Sequence, residues 1–132
     1  LDTAAFNKIM SAFSLPKGTD EEKAARKQAI QDATKFAIEV PFKVMQLSYE
    51  SLTIIKAMAE VGNPNSVSDA GVGALCARSA VMGAFMNVRI NASGYDDKTY
   101  VNDIIAKGKD IETKTIALET EILKVVNEKI GM

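Results

Sequence analysis

The sequence predicts an all-α protein, a bundle of four to five helices in which long kinked helices pack around a buried central one. Three observations predict it. Apolar residues recur at three- and four-residue spacing through every long segment, turn residues gather at 15–18, 62–66 and 91–97, and residues 62–91 run almost without charge. No alternating, strand-like pattern competes.

Ala5, Phe6, Ile9, Met10 and Phe13 form one apolar helical face over residues 2–13, with Asp2 at its start, where a carboxylate favours the helix dipole. Leu15-Pro16-Lys17-Gly18 is a loop. Thr19, followed three residues later by Glu22, opens the second helix as a capping box. That helix carries a largely apolar series at Ile30, Ala33, Ala37, Val40, Val44, Leu47, Ser51, Ile54 and Met58, which passes through Pro41 without losing phase. A proline inside a helix removes one hydrogen bond and ordinarily breaks it, so the unbroken phase predicts a kink: a bent helix wrapping the core, or a bend that opens a carbonyl or turns Glu39 toward a pocket.

Gly62 is expected to end this helix. The next stretch, GNPNSVSDAGVGALCARSAVMGAFMNVRIN, contains only Asp69, Arg78 and Arg89 as charges. Its helix starts near Asn65, through Asn63 as cap with Pro64 first, or through Ser66 and Asp69 as a capping box. Val72, Leu75, Val81, Phe85, Met86 and Ile90 point all round the circumference, so burial on most sides is expected. Three charges that would need partners in lipid argue for the centre of a soluble bundle over a membrane span. At about 100° per residue, Asp69, Gly73, Ala80, Asn87 and Asn91 share one stripe, polar at its ends and small in its middle. A neighbouring helix or a bound molecule must then satisfy a carboxylate and two carboxamides.

The last helix follows Tyr95-Asp96-Asp97 and repeats Val101, Ile104, Gly108, Ile111, Thr115, Leu118, Ile122 and Val125 as a seam, with Asp110 and Lys114 as a surface pair. One chain leaves so apolar a central helix incompletely covered. A symmetric homodimer or higher homo-oligomer, or a further segment of the same chain, is expected to complete it.

The 132 residues fit one domain. Sixteen basic and seventeen acidic residues give a net charge of -1, which offers no global case for nucleic acid or an anionic membrane as partner. The absence of histidine excludes Ser-His and Cys-His nucleophiles and histidine-type zinc sites, leaving Asp, Glu, Lys or Tyr for any proton transfer. The lone Cys76, read as a small hydrophobe, excludes an intrachain disulfide and fits a reducing, cytoplasmic setting. No secretory signal is evident, and the start at Leu1, directly on a helical pattern, suggests a piece of something longer.

The motifs GNPNSVSD at 62–69 and NVRIN at 87–91, with Asp2-x-x-Ala5-Phe6, LPKGTDEEKAARKQAIQ at 15–31 and Val40-Pro41, resemble the cyclodeaminase family, including its stand-alone methenyltetrahydrofolate cyclohydrolase relatives. The likeness runs nearly end to end. Family members begin with a further helical segment carrying a Pro-x-Pro-Gly-Gly-Gly-Ser motif that this sequence lacks, so residues 1–132 look like the C-terminal part of the domain.

The resemblance implies closure of 5-formiminotetrahydrofolate to 5,10-methenyltetrahydrofolate with release of ammonia, in histidine breakdown. No metal or redox cofactor is expected, the tetrahydrofolate derivative being the substrate. It makes Asp69 and Asp2 the candidate proton carriers, and Asn63, Asn65, Ser68, Asn87, Arg89 and Asn91 the candidate substrate-binding residues. Asp69 and the amides suit a pterin edge, while Arg89, or Lys17 or Arg78, suits the glutamate tail. Two other functions stand beside this one: hydrolysis of methenyltetrahydrofolate in the same pocket, and a non-catalytic helical dimerisation module. Each site residue also has a plain role available, Asp69 as a first-turn carboxylate, Asn91 as a helix cap, Arg78 and Arg89 as ion-pair partners.

Overall fold

The computed structural model describes the backbone of residues 2–131 and the side chains of 3–131. Four helices follow one another: α1 (Asp2–Phe13), α2 (Asp20–Val61), α3 (Val67–Ala92) and α4 (Lys98–Ile130), with a 3-10 turn at Pro64–Ser66 before α3. No strand occurs among the described residues.

The expected caps form. Thr19 Oγ1 accepts from the Glu22 amide at 3.1 Å, and Glu22 answers by accepting from the amides of Thr19 and Gly18. Of the two starts open to the central helix, the asparagine one is used: Asn63 Oδ1 accepts from the Asn65 amide at 3.0 Å and caps the 3-10 turn, while Ser66 makes no side-chain cap. Asp97 Oδ1 accepts from the Tyr100 amide to start α4. Gly131, at φ 76°, ends α4 in the left-handed conformation that glycine adopts without penalty.

The core lies where α2, α3 and α4 meet. In one half Leu52 and Ala59 of α2 pack with Ala70, Ala74 and Ala77 of α3 and Ile122 and Val126 of α4. In the other, Ile38 and Met45 pack with Val81, Phe85 and Val88 and with Ile104. Ile38, Met45, Leu52 and Ala59 stand seven residues apart, so α2 presents a straight seam to its neighbours. It lies one position from the expected series, whose Val44, Leu47, Ile54 and Met58 are exposed. Helix α2 continues through Pro41 without a break.

Two burial expectations are corrected. On α1 the small Ala5 and Ala12 are buried, while Phe6, Met10 and Phe13 are exposed, because close helix contact is made through alanines. Helix α3 is not buried on most sides: Val72, Leu75, Met86 and Ile90 are 48–72% exposed, and Cys76 is exposed too. One chain covers the Ala70, Ala74, Ala77 and Val81 side of α3 and leaves the opposite apolar side open. The segment Pro64–Ala92 is long and apolar enough to cross a membrane, but here it packs against α2 and α4.

Side chains tie the corners. Gln31 of α2 donates to the Gly94 carbonyl and accepts from the Asp96 amide, fixing the turn between α3 and α4. Lys129 of α4 donates to the Ala59 carbonyl at 2.7 Å and to that of Glu60, at the C-terminal end of α2.

Candidate functional site

In a helix each N–H donates to the carbonyl four residues back. Pro41 has no N–H, so the Ala37 carbonyl has no partner within α2. Asn91 of α3 supplies one. Its Nδ2 donates to the Ala37 carbonyl at 3.1 Å and to the Asn87 main-chain carbonyl at 3.0 Å, with Asn87 Oδ1 at 3.3 Å from the same nitrogen. Oxygen acceptors around one terminal atom identify it as the amide nitrogen. Asn91, next to last in α3, is therefore a cross-helix clamp, and the cap position falls to Ser93.

Asn87 belongs to the walls of two small cavities. One, of about 220 Å³, lies between α2 and α3 and is lined by Val40, Pro41, Val44, Ala80, Gly83, Ala84 and Asn87. The second, of about 160 Å³, lies under α1 and is lined by Ala5, Phe6, Ile9, Ala37, Asn87 and Asn91. Small residues make the room: a Cβ added at Gly83 would meet no atom within 4 Å. Among the described residues, no protein group bonds the Asn87 side-chain nitrogen or the Asn91 side-chain oxygen. Apolar walls with a spare donor and a spare acceptor suit a flat ring with a polar edge. No group of three His, Cys, Asp or Glu suited to a metal occurs among the described residues.

The single polar groove expected along α3 does not form. Asn87 and Asn91 are brought together, but Asp69 is exposed on the first turn, eighteen residues or about 27 Å along the helix from Asn87. Gly73, expected in the same groove, packs against Ile55. Asn65 and Ser68 are exposed beside Asp69, and Asn63 is occupied with its cap. Arg89 is exposed, its guanidinium 4.9 Å from the Phe85 ring centre. Arg78 takes its plain role, pairing with Glu119 at 3.0 Å. Lys17 lines a separate basic hollow with Lys23, Arg26 and Lys27. The side chain of Asp2 lies outside the described residues; in the sequence it precedes the cavity-lining Ala5, Phe6 and Ile9 by three, four and seven positions.

Sequence reasoning missed two buried polar groups. Glu119, on the seam of α4, is 2% exposed and was hidden among the charges of that helix. Tyr100 has a buried hydroxyl without a partner among the described residues, and its pKa is pushed up to about 12, by burial first and then by the Glu39 carboxylate.

The profile of the family described as formiminotransferase-cyclodeaminase matches residues 1–110. This chain belongs to that family. Within it, the chain is 38% identical over 130 residues to a methenyltetrahydrofolate cyclohydrolase of Methylorubrum extorquens, covering 98% of this chain and 62% of the relative. It is 37% identical over 99 residues to the formimidoyltransferase-cyclodeaminase of Gallus gallus, covering 75% of this chain and 18% of the relative. The crystal structure of formiminotetrahydrofolate cyclodeaminase from Thermotoga maritima superposes with a TM-score of 0.82 at 24% identity, covering 98% of this chain and 60% of that one, which bears out the helical fold. The chain thus spans about three-fifths of the length of the Methylorubrum and Thermotoga proteins.

Proposed function

We propose that this member of the cyclodeaminase family works in cytoplasmic folate one-carbon metabolism, closing 5-formiminotetrahydrofolate to 5,10-methenyltetrahydrofolate with loss of ammonia, as a step of histidine breakdown. The observation that carries the reading is the pair of adjoining cavities, with Asn87 in the wall of both and Asn91 in that of the smaller, among side chains that are otherwise apolar. A pterin is flat, with donors and acceptors along one edge, and matches that arrangement.

In the reaction N10 attacks the formimino carbon, the N10 proton moves to the imino nitrogen, and one further proton lets that nitrogen leave as ammonia. Holding N10 against the carbon supplies much of the rate, and a positioned carboxyl group supplies the proton. Asp2 is the candidate on the same chain, given its spacing from Ala5, Phe6 and Ile9. At about 27 Å from Asn87, Asp69 reaches this cavity only from a second copy.

A homodimer fits that need. The open apolar side of α3, with Val72, Leu75, Met86 and Ile90, is centred near Ala80, midway between Asp69 and Asn91. A two-fold axis there would run two α3 helices antiparallel and bring Asp69 of one copy toward the amides of the other.

A second reading, methenyltetrahydrofolate cyclohydrolase, is supported by the Methylorubrum relative of that name, 38% identical over 130 residues. In that reaction water adds to the methenyl carbon, one of its protons is released and the other passes to N5, and the bond from that carbon to N5 breaks to leave 10-formyltetrahydrofolate. Supplying 5-formiminotetrahydrofolate and 5,10-methenyltetrahydrofolate separately, and following methenyl absorbance and ammonia, tests both. Methenyl formation with ammonia supports cyclodeamination; methenyl loss alone supports the hydrolase; neither turnover nor binding rejects both.

A further inference from the structure

We infer that Pro41 is a positioning residue for the Asn87–Asn91 amide pair: by lacking an N–H, it leaves the Ala37 carbonyl for Asn91 and so locks both amides at the cavity wall. The inference rests on the folate reading only for which ligand the amides meet. The lock itself stands on geometry.

Asn91 Nδ2 has two hydrogens, one for the Ala37 carbonyl at 3.1 Å and one for the carbonyl and side-chain oxygen of Asn87 at 3.0 and 3.3 Å. With both committed, the Asn91 side-chain oxygen has one orientation left, and Asn87 Oδ1 is held by the same nitrogen. The spare Asn87 nitrogen and Asn91 oxygen are then presented together instead of swinging through their rotamers. An ordinary residue at 41 would donate its own N–H to Ala37 and compete for the acceptor, freeing Asn91. Pro41 itself is buried and lines the same cavity as Asn87, so the residue that opens the carbonyl also forms the wall. A helix-interior proline is costly, and here its cost is offset by a cross-helix bond to the carbonyl it leaves without an intrahelical donor.

The test is Pro41→Ala in the whole protein, with Asn91→Ala and the double variant. Side-chain 15N resonances of Asn87 and Asn91 report the lock without any ligand. Protected, slowly exchanging Asn91 amide protons in the natural sequence that become fast-exchanging in Pro41→Ala support the inference; unchanged protection overturns it. Binding of 5,10-methenyltetrahydrofolate is then expected to weaken about fivefold in Pro41→Ala, the worth of one net hydrogen bond, with the unfolding midpoint no lower than that of the natural protein. The double variant is expected to bind no more weakly than Asn91→Ala alone, since both act through one bond. If the natural protein binds and Pro41→Ala binds equally well, the positioning role is wrong. If the natural protein binds no folate but the resonances change as stated, the folate reading falls and the lock remains.

Discussion

Gly108 of α4 lies so close to the Phe85 ring of α3 that a Cβ at position 108 would overlap it, reaching Cδ2 at 2.8 Å and Cζ at 3.1 Å. The glycine is where α4 closes on α3, and Phe85 is 1% exposed there. Gly108→Ala should gain up to about 1 kcal/mol of helix propensity and lose up to about 3 kcal/mol to overpacking, for a net loss of about 2 kcal/mol in urea unfolding. Adding Phe85→Leu should recover part of the loss, which an effect of propensity alone would not allow.

The buried Glu119 carboxylate depends on Arg78, whose side chain is 40% exposed. Arg78→Ala should therefore cost about 2 kcal/mol at neutral pH, below the about 3–5 kcal/mol of a fully buried pair because water reaches the arginine side. Replacing both residues by Met should cost less than Arg78→Ala alone. Denaturant melts of the three variants check the order.

Tyr100 makes stability depend on alkaline pH. Its folded-state pKa of about 12 lies above the 10.0 usual for a free tyrosine, so the folded protein holds the phenolic proton more tightly than the unfolded chain. That contribution is complete below pH 10 and is lost as pH rises from about 10 to about 12. Tyr100→Phe should remove this loss, and should be no less stable at pH 7 because the buried hydroxyl lacks a partner among the described residues. Unfolding midpoints at pH 7 and pH 11 should show the advantage of Tyr100→Phe over the natural protein growing at the higher pH.

Subunit sharing can be read by complementation. Asp69→Asn and Asn87→Ala are each expected to lower turnover at least tenfold, since each removes a proposed site group. If Asp69 serves the neighbouring copy, equal mixing after dissociation should give about half mixed dimers with one intact site each, and so about a quarter of full activity. No recovery on mixing would assign both residues to one chain.

Much of the fold was legible because helix periodicity and caps are local signals. Thr19 with Glu22, Gly62, and the seam through Ile104, Gly108, Thr115 and Ile122 appear as expected. What local pattern could not tell was which of two apolar stripes faces inward. On α2 the line through Val44, Leu47, Ile54 and Met58 is as apolar as the buried Ile38, Met45, Leu52 and Ala59, and only the neighbouring helices decide between them. Of the site, the pairing of Asn87 with Asn91 followed from one-turn spacing. A shared angular stripe, however, fixes direction and not distance, so it grouped Asp69 with amides about 27 Å away. The opened carbonyl at Pro41 could be anticipated; that Asn91, fifty residues on, would take it depends on tertiary packing.

Helix α2 has no basic residue in its own last turn, and Lys129 from the far end of α4 occupies that place. The negative end of a 42-residue helix is thus neutralised by a side chain 70 residues further along than the carbonyl it meets. Acetylation of Lys129, or trimming of α4 before it, would fray α2 at Ala59 and Glu60 and loosen the Asn63 corner, turning a closed joint into a protease-sensitive one.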